Sequence, residues 1–153
     1  MILSAQSIRR RSKMVQPFTE RTVAFGMTYG LGPAGYDVRI AETLTLSPGG
    51  WTLASTVERF EMPNDLLARV TDKSTWAREG LAVQNTIIEP GWCGYLTLEL
   101  SNHGRHAIYL DGGMPIAQII FDRLDEPTDT PYAGKYQDQP AGVVRARFAL
   151  EPL

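Results

Sequence analysis

The sequence contains very little cysteine and histidine, which limits the kinds of site it can build. Cys93 is the single cysteine among 153 residues, so the chain cannot form an internal disulfide. The two histidines, His103 and His106, share one Asn-His-Gly-Arg-His turn, which offers fewer ligands than a zinc site needs. The sequence therefore predicts no zinc site. Absence of disulfides suits a reducing compartment, so we expect a cytoplasmic location.

The sequence also lacks a membrane-spanning run and an excess of charge of one sign. No apolar run approaches roughly 18 residues, the length typical of a membrane helix, and no apolar signal-peptide region opens the chain. The net charge of −2 gives no reason to expect a nucleic acid polymer or an anionic membrane as a partner. At 43% hydrophobic residues, the chain is expected to form one domain over 1–153.

Most of the chain after residue 36 consists of short strand-like segments separated by turns rich in Gly, Pro and Asp. The segments are YDVRI, TLTL, WTLAS, TVERFEM, LARV, LAVQN, YLTLEL, AIYL and PIAQIIF. Many short strands at this spacing indicate a sandwich or a barrel, so we predict an all-β fold. Before them, the sequence predicts a short helix within 1–13 and an irregular stretch from Pro17 through the glycines at 26 to 35.

The strongest chemical signal lies between Leu67 and Leu100. In the predicted strand at its end, leucines alternate with polar residues that include Glu99, because strand side chains point alternately to opposite faces. A carboxylate on such an apolar strand needs a partner. Lys73, Ser74, Thr75 and Arg78 are the candidates, and together with Glu99 they would form an acid–base site. The residues alone leave two purely structural roles open: a cross-strand ion pair for Glu99 and an ordinary helix cap for residues 73–75.

Several segments in order over nearly the whole chain resemble those of one family. They are MILSAQSI, PAGYDVRI, LASTVERFEMPNDLLARVTDKSTWAREGL, IEPGWCGYLTLEL, GMPIAQIIF and PYAGKYQDQPAG. They resemble the dCTP deaminases, relatives of the trimeric dUTPases. The resemblance implies an all-β, dUTPase-like distorted β-barrel (a β-clip) with a short N-terminal helix, assembled as a homotrimer with sites between subunits. It also implies that residues 125–153, which by composition are either a loose end or a lid, form a lid.

The resemblance further implies zinc-independent hydrolysis of dCTP to dUTP and ammonia. Glu99 would be the general acid/base, Ser74 would help to position the water, and Arg78 would hold the carboxylate. The implied substrate-binding residues are Lys73, Thr75, Asn85, Thr86, Glu89, Trp92, Tyr132, Lys135, Tyr136 and Gln139. Lys73, Thr75 and the tail residues would contact the triphosphate, with Mg²⁺ carried on the nucleotide, while Glu89 and Trp92 would contact the sugar.

One departure from the family pattern leaves the choice of base open. The hairpin at 84–88 is two residues shorter than in typical deaminases, and there Asn85 and Thr86 would take over contacts to the water and the base. A dUTP pyrophosphatase, or a bifunctional enzyme that gives dUMP and pyrophosphate, therefore stays an alternative. A non-catalytic deoxynucleotide sensor is a third.

Overall fold

The computed structural model describes residues 1–148, and the predicted all-β fold is confirmed there. A helix, α1 (Ala5–Arg10), and a 3₁₀ turn (Ser12–Met14) precede the strands, and one further helix, α2 (Ser74–Arg78), interrupts them. The strands are β1 (Val15–Gln16), β2 (Thr22–Ala24), β3 (Met27–Leu31), β4 (Tyr36–Arg39), β5 (Leu44–Leu46), β6 (Trp51–Glu61), β7 (Leu66–Asp72), β8 (Leu81–Val83), β9 (Ile87–Ile88), β10 (Cys93–Asn102), β11 (Ile108–Leu110) and β12 (Pro115–Arg123).

The strands form two main antiparallel sheets and a small one. The first sheet has the order β1-β6-β10-β8, the second β2-β3-β4-β12-β7-β9, and β5 pairs with β11 alone. One continuous cluster of buried apolar side chains joins the sheets, with Phe60 and Leu98 from the first and Val38 and Phe121 from the second. Neither described helix is long and apolar enough to cross a membrane.

The prediction of an irregular stretch before residue 36 was wrong, since β2 and β3 form a hairpin there. Gly30 does not break β3; it lets the strand lie close to the preceding loop. A Cβ at this position would lie 2.6 Å from the carbonyl oxygen of Thr19 and 2.7 Å from that of Glu20, and the φ of +82° also favours glycine. The glycines predict an interruption of regular structure, whereas Gly30 lies within a strand and allows a close approach of the backbone.

Strand β10 carries Glu99 and pairs with β6 along most of its length. The predicted alternation is confirmed: Leu96, Leu98 and Leu100 are buried, while Thr97 and Glu99 on the opposite face are partly exposed. The other edge of β10 pairs with β8 only from residue 100 to 102. Its edge at 97–99 is therefore left to other partners.

Candidate active site

A cavity of about 590 Å³ lies against the polar face of β10. Eight of the predicted site residues line it: Asn85, Thr86, Glu89, Trp92, Glu99, Tyr132, Tyr136 and Gln139. They come from the connection between β8 and β9, the turn before β10, β10 itself and the C-terminal segment, residues 125–148. Parts of the chain that are distant in sequence thus meet at a hollow of the size that small ligands occupy.

Half of the residues that line the cavity were not predicted from the sequence. The missed residues are Trp51, Leu53, Ile87, Ile88, Leu96, Thr97, Val144 and Ala146. Most are apolar, and no chemical motif marks an apolar wall residue. Thr97 is the exception, because strand alternation already placed it on the same face as Glu99.

The Glu99 carboxyl lies in a partly apolar environment. Its side chain is partly buried, and burial raises the pKa of the carboxyl above its usual value. No cation forms an ion pair with it within residues 1–148. A carboxyl group in this state exchanges protons closer to neutral pH than an exposed one, which suits it to general acid–base chemistry.

Asn85 fills the free edge of β10 beside Glu99. Its Nδ2 donates to the Thr97 carbonyl oxygen at 2.7 Å, and its Oδ1 accepts the Glu99 N–H at 3.1 Å. Gln84 N–H donates to the Glu99 carbonyl oxygen at 2.8 Å. The side-chain amide thus continues the strand ladder beyond β8, in a connection that leads to the other sheet and does not form the predicted hairpin, and it fixes the backbone that carries Glu99.

Helix α2 presents three predicted site residues to solvent. Ser74, Thr75 and Arg78 are exposed, and none of them lines the Glu99 cavity of its own chain. The helix is anchored by Trp76, whose Nε1 donates to the Pro115 carbonyl oxygen at 2.7 Å. A single chain therefore does not bring the predicted catalytic residues together.

Lys73, just before α2, is buried rather than open to a ligand. Its Nζ lies 2.7 Å from Asp37 Oδ2 and also reaches Thr28 Oγ1, at 3.5 Å. The other Asp37 oxygen is buried without a hydrogen-bond partner among the described residues. Lys73 consequently compensates a buried charge from β4 and fixes the position at which α2 begins.

The C-terminal segment lies along β10. Trp92 Nε1 donates to the Tyr136 carbonyl oxygen at 2.7 Å, and Cys93 N–H donates to Gln137 Oε1 at 2.8 Å. Gln139 Nε2 donates to the Tyr95 carbonyl oxygen, also at 2.8 Å. Of the predicted lid at 125–153, residues 149–153 lie outside the described part of the chain.

Lys135, predicted to contact phosphate, and His103, considered as a metal ligand, do not line the cavity. Lys135 is exposed, donates to the Arg147 carbonyl oxygen and does not line the hollow. His103 forms a hydrogen bond with the Ser101 hydroxyl at 2.8 Å. Nowhere in residues 1–148 do three Cys, His, Asp or Glu side chains come together as a metal site.

Comparison with known proteins identifies the family of the chain. A family model described as DCD, dCTP deaminase-like, matches residues 37–124, more than half of the chain. The chain belongs to the dCTP deaminase-like family. The dCTP deaminase of Campylobacter fetus is 35% identical over 161 aligned residues, which cover 84% of this chain and 87% of that protein. The family predicted from the sequence is confirmed, and so is the prediction that the chain is an enzyme.

Solved structures show that the fold is the predicted dUTPase-like one. The dCTP deaminase of Agrobacterium tumefaciens matches with a TM-score of 0.66 and 19% identity, over 81% of this chain and 49% of that longer chain. The dUTPase of EIAV matches with a TM-score of 0.59 and 22% identity, over 79% of this chain and 96% of that one. At these identities, the two structures support the fold of this dCTP deaminase-like chain and not its choice of substrate.

Proposed function

We propose that the chain is a zinc-independent dCTP deaminase that hydrolyses dCTP to dUTP and ammonia. The observation that carries this proposal is Glu99, a half-buried carboxyl on the wall of a nucleotide-sized cavity, with no cation paired to it among residues 1–148 of its own chain. Glu99 takes a proton from the water that attacks C4 of cytosine, and passes protons to N3 and to the departing ammonia. A carboxyl whose pKa is raised toward neutrality can perform both transfers.

Ser74 and Arg78 complete the site from a neighbouring subunit of a homotrimer. They are exposed on α2 and lie outside the cavity of their own chain, so a second copy must supply them if they act beside Glu99. There the Ser74 hydroxyl helps to position the water. The Arg78 guanidinium orients the Glu99 carboxylate through charge-assisted hydrogen bonds.

The remaining cavity residues hold the nucleotide. We place Glu89 and Trp92 against the deoxyribose, Asn85 and Thr86 near the base, and Tyr132, Tyr136 and Gln139 toward the phosphates. Thr75 and Lys135 also contact phosphate, from outside the wall that one chain builds. Lys73 forms an ion pair with Asp37. It therefore contacts phosphate only if its ammonium group keeps Asp37 as a second partner. Because no carboxylate cage forms within residues 1–148, we place Mg²⁺ on the phosphates of the nucleotide.

A bifunctional enzyme, or a dUTP pyrophosphatase alone, is the second candidate. Glu89 favours it, because this exposed carboxylate lies in the same cavity as Glu99 and could direct a water toward the α-phosphate of dUTP. The shorter stretch at 84–88 does not decide between cytosine and uracil.

An assay with two substrates tests these functions. Purified protein is incubated separately with dCTP and with dUTP, in the presence of Mg²⁺, while ammonia and pyrophosphate are measured. Ammonia from dCTP without pyrophosphate supports the deaminase, and pyrophosphate from both nucleotides supports the bifunctional enzyme. Nucleotide binding with neither product would contradict catalysis and favour a sensor.

Removal of the chain after Pro131 is expected to weaken dCTP binding by about tenfold or more, since it removes five cavity residues and their contacts. It also leaves the Trp92 and Cys93 N–H donors without their partners, so we expect a lower melting temperature with a cooperative transition. Calorimetric titration of the nucleotide measures the affinity. A matched truncation of 149–153 removes none of the described contacts and should bind normally; unchanged affinity in the longer truncation would contradict the lid.

A further inference from the structure

We propose that Thr97 is a positioning residue: its hydroxyl fixes the C-terminal segment over the cavity and so controls how far Glu99 is shielded from water. The link to Glu99 rests on the proposed deamination. The link between Thr97 and the segment stands on the geometry alone. The two can therefore be tested apart.

The Thr97 hydroxyl oxygen accepts two hydrogen bonds from the C-terminal segment. Gln139 Nε2 donates to it at 2.8 Å, and the Val144 N–H donates to it at 3.0 Å. These bonds use both lone pairs of the oxygen. A side chain in the middle of β10 thus joins two points of a segment more than forty residues further along the chain.

The bond from Val144 is the critical one. Within residues 140–148, it is the one hydrogen bond to a barrel strand, because the bonds of Arg147 go to Lys135 and Tyr136 of the same C-terminal segment. Val144 and Ala146 both line the cavity. Within residues 140–148, the Thr97 hydroxyl is thus the hydrogen-bond link between this part of the wall and β10.

This cover is expected to shift the titration of Glu99. The other titratable side chains of the same chain that line the cavity are Glu89, Tyr132 and Tyr136, and none of them is a cation that would stabilise the ionised form. Arg78, which we place beside Glu99 from the neighbouring subunit, is the same in wild type and in the variants. Apolar cover from Val144 therefore acts mainly by excluding water. If the cover opens, water stabilises the carboxylate and Glu99 ionises at lower pH.

A pair of variants separates the hydroxyl from the shape of the side chain. Thr97→Val keeps the β-branched shape that suits a strand but loses both hydrogen bonds, whereas Thr97→Ser keeps the hydroxyl. Thr52→Val is the matched control on β6, where the Thr52 hydroxyl, in the described part of the chain, donates to the backbone of its own strand. Gln139→Met provides a second route to the same loss, because it removes the amide donor and keeps the length.

The first measurement is limited trypsin digestion of the free protein, followed by mass spectrometry. Arg145 and Arg147 are exposed cleavage sites within the segment. In Thr97→Val and Gln139→Met we expect cleavage there to be about tenfold faster than in wild type, with Thr97→Ser and Thr52→Val close to wild type. Equal cleavage in Thr97→Val and wild type would overturn the proposal.

The second measurement is the pH dependence of dCTP deamination. In Thr97→Val we expect KM to rise about tenfold and the acid limb of kcat/KM to move to lower pH, with both restored in Thr97→Ser. A loosened segment with an unchanged KM and an unchanged acid limb would overturn the link to Glu99. If wild type releases no ammonia, the proposed function fails, and the digestion still decides whether Thr97 holds the segment.

Discussion

Glu99→Gln is expected to abolish ammonia release from dCTP while dCTP binding remains largely intact. The amide keeps the shape of the side chain but cannot accept a proton from water, so the rate should fall by at least about 10² to 10⁴. Ammonia release and nucleotide affinity are measured on the same preparation. Glu61→Gln is the matched control, because Glu61 is an exposed carboxylate on β6, away from the cavity. Turnover close to normal in Glu99→Gln would remove Glu99 from the mechanism.

In an Arg78→Met background, which removes the cation that we place beside Glu99, the same substitution should stabilise the protein at neutral pH. Burial raises the pKa of Glu99 in the folded state, so the folded protein binds this proton more tightly than the unfolded chain does. The free energy of unfolding contributed by Glu99 therefore falls as pH rises from the unfolded pKa through the folded one. Thermal melts should show the double variant above Arg78→Met alone at pH 7 to 8, with the difference disappearing in acid. A lower melting temperature at pH 8 would contradict the burial of this carboxyl.

Lys73→Met is expected to destabilise the chain by about 3–5 kcal/mol, the usual cost of leaving one charge of a buried pair without its partner. Asp37 would then be buried without a cation, and one of its oxygens already lacks a hydrogen bond. Chemical denaturation measures the free energy of unfolding. Arg69→Met is the matched control, because the Arg69–Asp122 pair has a similarly short contact, 2.8 Å, but an exposed arginine. We expect its effect to stay below about 1 kcal/mol.

A double variant tests whether the charge of Asp37 is the cause. In Asp37→Leu/Lys73→Met, both charges are replaced by apolar groups, and much of the lost stability should return, since buried pairs often exchange for apolar residues at little cost. If Lys73→Met weakens nucleotide binding but leaves stability unchanged, Lys73 acts on phosphate and the buried pair contributes nothing.

Local patterns in the sequence predicted much of the frame around the site. The alternation of leucines with polar residues predicted the polar face of β10 correctly. The helix cap considered for residues 73–75 lies where α2 begins. These features depend on spacing within a few residues, which a sequence displays directly. Chain order within the family resemblance also identified half of the cavity wall.

Contacts between distant residues could not be predicted in the same way. Asp37 lies in β4, whereas Lys73, 36 positions later, lies between β7 and α2, and nothing local marks either as a partner of the other. Thr97 and Val144 are 47 positions apart, and one of the two groups is a backbone N–H, which every residue but proline carries. Such pairs become visible only when the sheets are assembled.

Mixing two inactive variants tests the shared site most directly. Glu99→Gln and Arg78→Met, each expected to be inactive alone, are co-expressed with different tags and purified as mixed oligomers. If Glu99 of one subunit works with Arg78 of the next, about one site in three of each mixed trimer contains both intact residues, and ammonia release from dCTP should return to about that fraction of wild type. Mixed oligomers with no activity above that of either variant would contradict a site shared between subunits.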